Sequence, residues 1–144
     1  MLTTYATNQI LNALFGKASS ASLASSAYLG LSSTKPTIAG GNVTEPSGNG
    51  YARTLIGISG QSGTQKMGNP SNNAITNSQE INFPKATGAW GTFGYVCLFT
   101  AATGGTLIAW MEITSPITVS AAGTIAHIDV GDLTFELTPE DNNG

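Results

Sequence analysis

The chain has 144 residues, enough for one domain that buries about two thirds of its unfolded surface. Charged residues make up only 9% and apolar residues 40%, against about 25% charged in ordinary domains, a balance that excludes a disordered chain. A net charge of −3 with five scattered basic residues leaves no stripe to neutralise phosphates, which excludes nucleic acid as a partner, and no apolar run reaches the roughly 18 residues of a membrane span.

Residues 3–15 are predicted as a helix, with Thr3 or Thr4 as its N-cap and Gly16 at its stop. Ile10, Leu11 and Leu14 form its expected contact face, with Ala13 and Phe15 alongside, docked on its own domain or on a neighbour. The helix makes an arm over 1–17, and the small residues of 18–26 read as a connector. A β domain over 27–138 and an exposed tail over 139–144 complete the expected organisation. The N-terminus has neither a basic head nor a continuous apolar stretch, so no signal peptide is expected. With a single cysteine, the chain suits assembly in a reducing cytoplasm.

From Ala27 the pattern is β. Strands are expected at 27–32, 51–58, 74–83, 93–99, 107–113, 117–119, 124–130 and 133–137, with glycine-, asparagine- and proline-rich turns between them. Residues 93–99 are apolar on both faces, which predicts a central strand. Residues 102–105 make the turn of a hairpin with 107–113, and Pro116 marks an edge or a bend. The pattern predicts a mainly β, single-domain fold. We expect a β-sandwich or jelly-roll-like barrel of about 7–8 strands with one N-terminal helix.

One segment stands out for its geometry: Thr44-Glu45-Pro46-Ser47-Gly48-Asn49-Gly50-Tyr51-Ala52-Arg53. Pro46 fixes its own φ and biases Glu45 to extended backbone. Gly48 and Gly50 permit positive φ. Arg53 is the only arginine in the chain. Tyr51 and Arg53 are expected to anchor the following strand, with Glu45 as the ion-pair partner of Arg53. Trp90, between Gly88 and Gly91, either plugs the end of the domain or stands exposed as an interface anchor. Trp110 is expected in the core.

Catalytic patterns are missing from the sequence. His127 and Asp129 share a strand face, but no nucleophile can be tied to them. Cys97 lies in the most apolar strand, where a thiol behaves as a small inert hydrophobe. Asp129 and Asp132 lack a calcium-binding loop, and no zinc spacing or phosphate-binding glycine motif is present. Asn42-Val43-Thr44 matches a glycosylation sequon by chance. No enzymatic activity, cofactor or metal is expected, and a weakly charged surface of hydroxyls, amides and methyls suits an assembly subunit.

Five motifs in order carry a family resemblance: Tyr28-Leu29-Gly30-Leu31-Ser32; Thr44 to Arg53; Asn82-Phe83-Pro84; Ala86-Thr87-Gly88-Ala89-Trp90-Gly91-Thr92; and Phe99-Thr100-Ala101-Ala102-Thr103-Gly104-Gly105. Together they resemble small proteins of tailed bacteriophages and prophages, often labelled tail fibre proteins. Many members of that pattern carry Asp where Thr100 stands. The resemblance implies a virion structural protein assembled in the bacterial host cytoplasm. Its expected role is capsid decoration (cement), with the major capsid protein as partner and a homo-oligomer, trimer favoured. The alternative is a tail fibre or fibre-tip protein that meets tail proteins or a host surface glycan.

Overall fold

The computed structural model describes residues 1–17 and 25–137. The connector expected at 18–26 therefore falls outside the described residues except for Ser25 and Ser26, and the expected tail 139–144 lies outside them entirely. The fold is mainly β, with one N-terminal α-helix and eight strands among the described residues. The helix is α1 (Thr4–Leu14). The strands are β1 (Ser26–Ser32), β2 (Thr54–Ile58), β3 (Ala74–Thr76), β4 (Ile81–Asn82), β5 (Gly91–Phe99), β6 (Leu107–Val119), β7 (His127–Ile128) and β8 (Thr134–Glu136).

Four strands form one antiparallel sheet in the order β2–β1–β5–β6. Its inner face presents Leu29 and Leu31 of β1, Ile56 of β2 and Val96 of β5. Opposite them lie two short antiparallel ribbons, β3–β8 and β4–β7, which contribute Ile81 and Ile128 to the core, joined there by Phe83 and Leu133 from the adjoining loops. The second layer is thus two ribbons and their loops, and no barrel closes. Asn77 ties the ribbons together from a buried position. Its side-chain amide donates to the carbonyls of Gln79 and Asp129, and its Oδ1 accepts from the N–H groups of Gly131 and Leu133. Every bonding group of that amide has a partner, which is what makes its burial tolerable.

The outer face of the sheet is also covered. Cys97 and Phe99 of β5 pack there with Trp110 of β6, Leu107, Val43 and Tyr95. Burial on both faces explains the unbroken apolar run of β5, which lies between β1 and β6.

Several boundaries differ from the sequence expectation, each for a physical reason. The strand expected at 51–58 begins at Thr54, because Tyr51 and Arg53 use their side chains to fix the lead-in. The segment 74–83 splits into β3 and β4, which pair with different strands. The segments 107–113 and 117–119 are one strand, β6, that runs through Pro116. Phe93 pairs with Ile117 and Tyr95 with Glu112, so four residues of β6 stand opposite Gly94 alone. That bulge takes Pro116, which has no N–H, out of the ladder. The strands expected at 124–130 and 133–137 shorten to β7 and β8.

Residues 1–3 run along the free edge of β6. Met1 and Trp110 exchange two hydrogen bonds, and Thr3 N–H donates to the Ile108 carbonyl. Thr3 then caps α1, its hydroxyl oxygen accepting from Ala6 N–H while its proton is shared between the carbonyls of Leu107 and Ile108. The helix closes with Lys17 N–H donating to Asn12 and Gly16 N–H to Ala13, Gly16 standing at φ 61°. This is a Schellman closure, which a residue without Cβ makes readily. The helix contacts its own domain through Ala6, which is buried, and Ile10, which is partly buried; Leu11 and Leu14 are exposed.

Candidate functional site

The Thr44–Arg53 segment forms a densely hydrogen-bonded side-chain cluster against β1. It starts beside the end of β1, where Thr44 N–H donates to Ser32 Oγ and Ser33 N–H to the Thr44 carbonyl. Three successive residues, Gly48, Asn49 and Gly50, hold positive φ of 72°, 50° and 77°. Glycine and asparagine adopt that backbone at low cost, so the sequence reverses here without strain from a bulky side chain. Extended backbone then places Tyr51 and Arg53, two residues apart, on the same side. Tyr51 reaches over Gly30 in the middle of β1, and Arg53 lies beside it on the Phe99 ring.

Four parts of the chain meet at that point. Arg53 Nε donates to Glu45 Oε1 at 2.9 Å and Nη2 to Oε2 at 2.7 Å, a two-pronged ion pair. Arg53 Nη1 donates to the carbonyls of Ala101 at 2.9 Å and Gly104 at 2.7 Å, in the turn joining β5 to β6. The guanidinium carbon lies 3.4 Å from the centre of the Phe99 ring, a stacked cation–π contact. Tyr51 OH donates to Glu45 Oε1 at 2.7 Å and accepts from Leu31 N–H at 3.0 Å. Burial raises the Tyr51 pKa well above the usual phenol range, and the bond to the Glu45 carboxylate adds to that while the Leu31 N–H opposes it.

Gly30 makes the arrangement possible. A Cβ there would stand 2.7 Å from Glu45 Oε1 and 3.0 Å from both Phe99 Cε2 and Tyr51 OH. A glycine within an otherwise apolar strand marks a close approach of this kind. Trp90 extends the cluster. Its ring meets Tyr51 edge-on at 5.2 Å, and its Nε1 donates to the Asn49 carbonyl at 2.8 Å. Asn49 Nδ2 returns a bond to the Ala89 carbonyl. Trp90 is therefore folded back onto the Gly48–Gly50 turn.

The structure brings Glu45, Tyr51, Arg53 and Trp90 into one cluster and leaves Ile10, Leu11 and Leu14 on the helix, away from it. Sequence reasoning missed Gly30, Phe99, Asn49 and the Ala101 and Gly104 carbonyls as members. Gly30 was a readable signal for a close approach. Thr100 caps the same β5–β6 turn, its Oγ1 accepting from Thr106 N–H at 2.9 Å. A hydroxyl at this position does the accepting that a carboxylate could do.

Chemically the cluster is a lock. Both oxygens of Glu45 are engaged by donors, and a guanidinium does not release a proton at any ordinary pH. Elsewhere, His127 Nε2 lies 3.5 Å from Asp129 Oδ1, with both side chains more than half exposed. They border an open cleft of about 320 Å³ with Glu112 and Asp132. Cys97 is fully buried, and desolvation pushes its thiol up to about 12. Trp110 is buried, and its indole N–H has no partner among the described residues. No group of three metal-ligating side chains occurs among the described residues, and no described helix is long and apolar enough to cross a membrane. The Asn42 amide of the sequon is engaged within its own loop by the Lys35 carbonyl.

A family model described as podophage GP4 fiber I protein gp80 matches residues 1–136. No curated protein matches the chain. The match spans the helix, the sheet, both ribbons and every residue of the Glu45–Arg53 cluster, and the chain belongs to this family of bacteriophage virion structural proteins.

Proposed function

We propose that the protein is a tail fibre component that takes part in host attachment, held by other tail proteins and presented to a host surface glycan. One observation carries this reading: the match to a fibre protein family over residues 1–136. It favours the fibre role over the capsid decoration expected from size and low charge. The structure suits a fibre module in one respect. The Glu45–Arg53 lock fastens the loop before β2 to the turn between β5 and β6, and so stiffens one end of the sheet. A non-catalytic role is part of this reading, and the engagement of both Glu45 oxygens by donors supports it.

Deletion of the gene separates the two virion roles. A fibre component predicts particles that adsorb poorly to host cells while their heads survive heating and chelator as wild-type heads do. Normal adsorption with fragile heads overturns the fibre reading and restores decoration.

A further inference from the structure

Asparagine is a thermolabile residue, and it is most open to attack by its own backbone when glycine follows, because glycine has no Cβ to shield its nitrogen. The chain has such a step at Asn49-Gly50 and another at Asn143-Gly144, and the first lies within the described residues. Asn49 and Gly50 are both exposed, so water reaches the side-chain amide and the nitrogen that attacks it. Gly50 N–H donates to no acceptor among the described residues, whereas the next N–H, that of Tyr51, is tied to the Gly48 carbonyl.

The residue under attack also has a structural job. Asn49 Nδ2 donates to the Ala89 carbonyl at 2.8 Å. The main-chain carbonyl of Asn49 accepts from Trp90 Nε1 at 2.8 Å and from Thr87 N–H at 2.9 Å. These bonds fasten the Gly48–Gly50 turn to the segment 87–90. The Asn49 side chain lies across Gly88, where a Cβ would stand 2.8 Å from its Cγ. None of these bonds involves the Gly50 nitrogen.

We propose that Asn49 is a self-modification site, cyclising onto Gly50 and opening to isoaspartate, and that the product releases Trp90 from the turn. In the first step Gly50 gives its amide proton to water or hydroxide. Its nitrogen bonds to Asn49 Cγ, the Cγ–Nδ2 bond breaks, and ammonia leaves. The resulting succinimide takes up water, the only other reactant. Opening at the former main-chain carbonyl yields isoaspartate, in which the backbone runs through Cβ and Cγ and that carbonyl becomes a carboxylate on a side branch. The product cannot keep the bonds of the parent. Nδ2, the donor to Ala89, has gone as ammonia. The oxygen that serves Thr87 and Trp90 has left the main chain. One extra backbone carbon now stands inside a turn that Tyr51 N–H closes onto the Gly48 carbonyl at 3.1 Å. The inference does not depend on where in the virion the protein sits.

Peptide mapping of the full chain, aged folded in warm, mildly alkaline buffer beside a urea-unfolded sample, tests it. Isoaspartate is expected at Asn49 of the folded protein, at a rate that rises with pH because the attacking nitrogen must lose its proton. Tryptophan emission shifts to the red as Trp90 enters water, and the melting temperature falls, both in proportion to the product at Asn49. Asn49→Gly has no amide to attack and tolerates the φ of 50° found at this position, so it ages with neither change. If Asn49 stays intact in the folded protein while the unfolded chain converts there, the fold protects the site and the proposal is overturned. Isoaspartate at Asn49 with unchanged emission overturns the release of Trp90, as does an Asn49→Gly protein whose emission drifts like that of the wild type.

Discussion

Arg53 spends four of its five N–H donors inside the protein, one from Nε, one from Nη2 and two from Nη1. Its side chain is 9% exposed and that of Glu45 23%, so the pair is screened less than a surface bridge and more than a core one. Arg53→Ala strands the Glu45 carboxylate and two carbonyls, and we expect a loss of about 3 kcal/mol in unfolding free energy, read as roughly 10 °C in melting temperature. An unchanged melting curve would show that the lock contributes nothing. Gly30→Ala makes the opposite intrusion. Alanine favours a strand more than glycine does, yet its Cβ enters the space of Glu45, Tyr51 and Phe99, and we expect a loss of about 1–3 kcal/mol, measured by urea unfolding. Stabilisation by Gly30→Ala would contradict the packing described. Cys97 gives a pH dependence. Burial raises its thiol from 9.0 to about 12, so the folded state holds the proton that the unfolded state releases. Its contribution is complete below pH 9 and is lost as pH rises toward 12, with Tyr51 adding a loss in the same direction above about 10. Unfolding midpoints measured in pH steps should fall from pH 9 upward, and Cys97→Ala should flatten the first part of that fall. A wild-type midpoint constant up to pH 11 would contradict it.

Among the elements, α1 depends on its first residues more than on its apolar stripe. Thr3 is buried and serves both the helix N-terminus and the edge of β6. Thr3→Ala should cost about 1–2 kcal/mol and speed hydrogen exchange across Thr4–Leu14 while the sheet stays protected. Equal acceleration in helix and sheet would mean that the helix does not open on its own. Its start and stop were legible, because Thr3 and Gly16 are strong local signals. Its docking was not: periodicity names a stripe, and the stripe is real, but besides Ala6 and Ile10 what holds the helix to its own domain is residues 1–3 bonded along a strand a hundred residues away. The strands show the same division. β5 reads as central from its two apolar faces, whereas β6 was read as two strands, since Pro116 is a local breaker and the bulge opposite Gly94 that accommodates it is a property of the pairing.

At the scale of the molecule, four of the five motifs that suggested the family prove to be parts of one cluster. Gly30 comes from the first, Glu45, Tyr51 and Arg53 from the second, Trp90 from the fourth, and Phe99 with the Ala101 and Gly104 carbonyls from the last. The Glu45–Arg53 pair was legible because a proline-fixed Glu precedes the only arginine by a short turn. Phe99 and its neighbours were not, because a strand order brings them there and local pattern does not specify strand order. The family was legible because several short motifs keep a fixed order along the chain, and the mainly β class because short apolar runs alternate with turn residues from Ala27 onward. Whether the protein stands on the tail or on the head shell is decided most directly by cryo-electron microscopy of the purified virion. The account predicts density matching the β2–β1–β5–β6 sheet and α1 in the tail fibres; that density in a lattice over the head, with none at the tail, would contradict it.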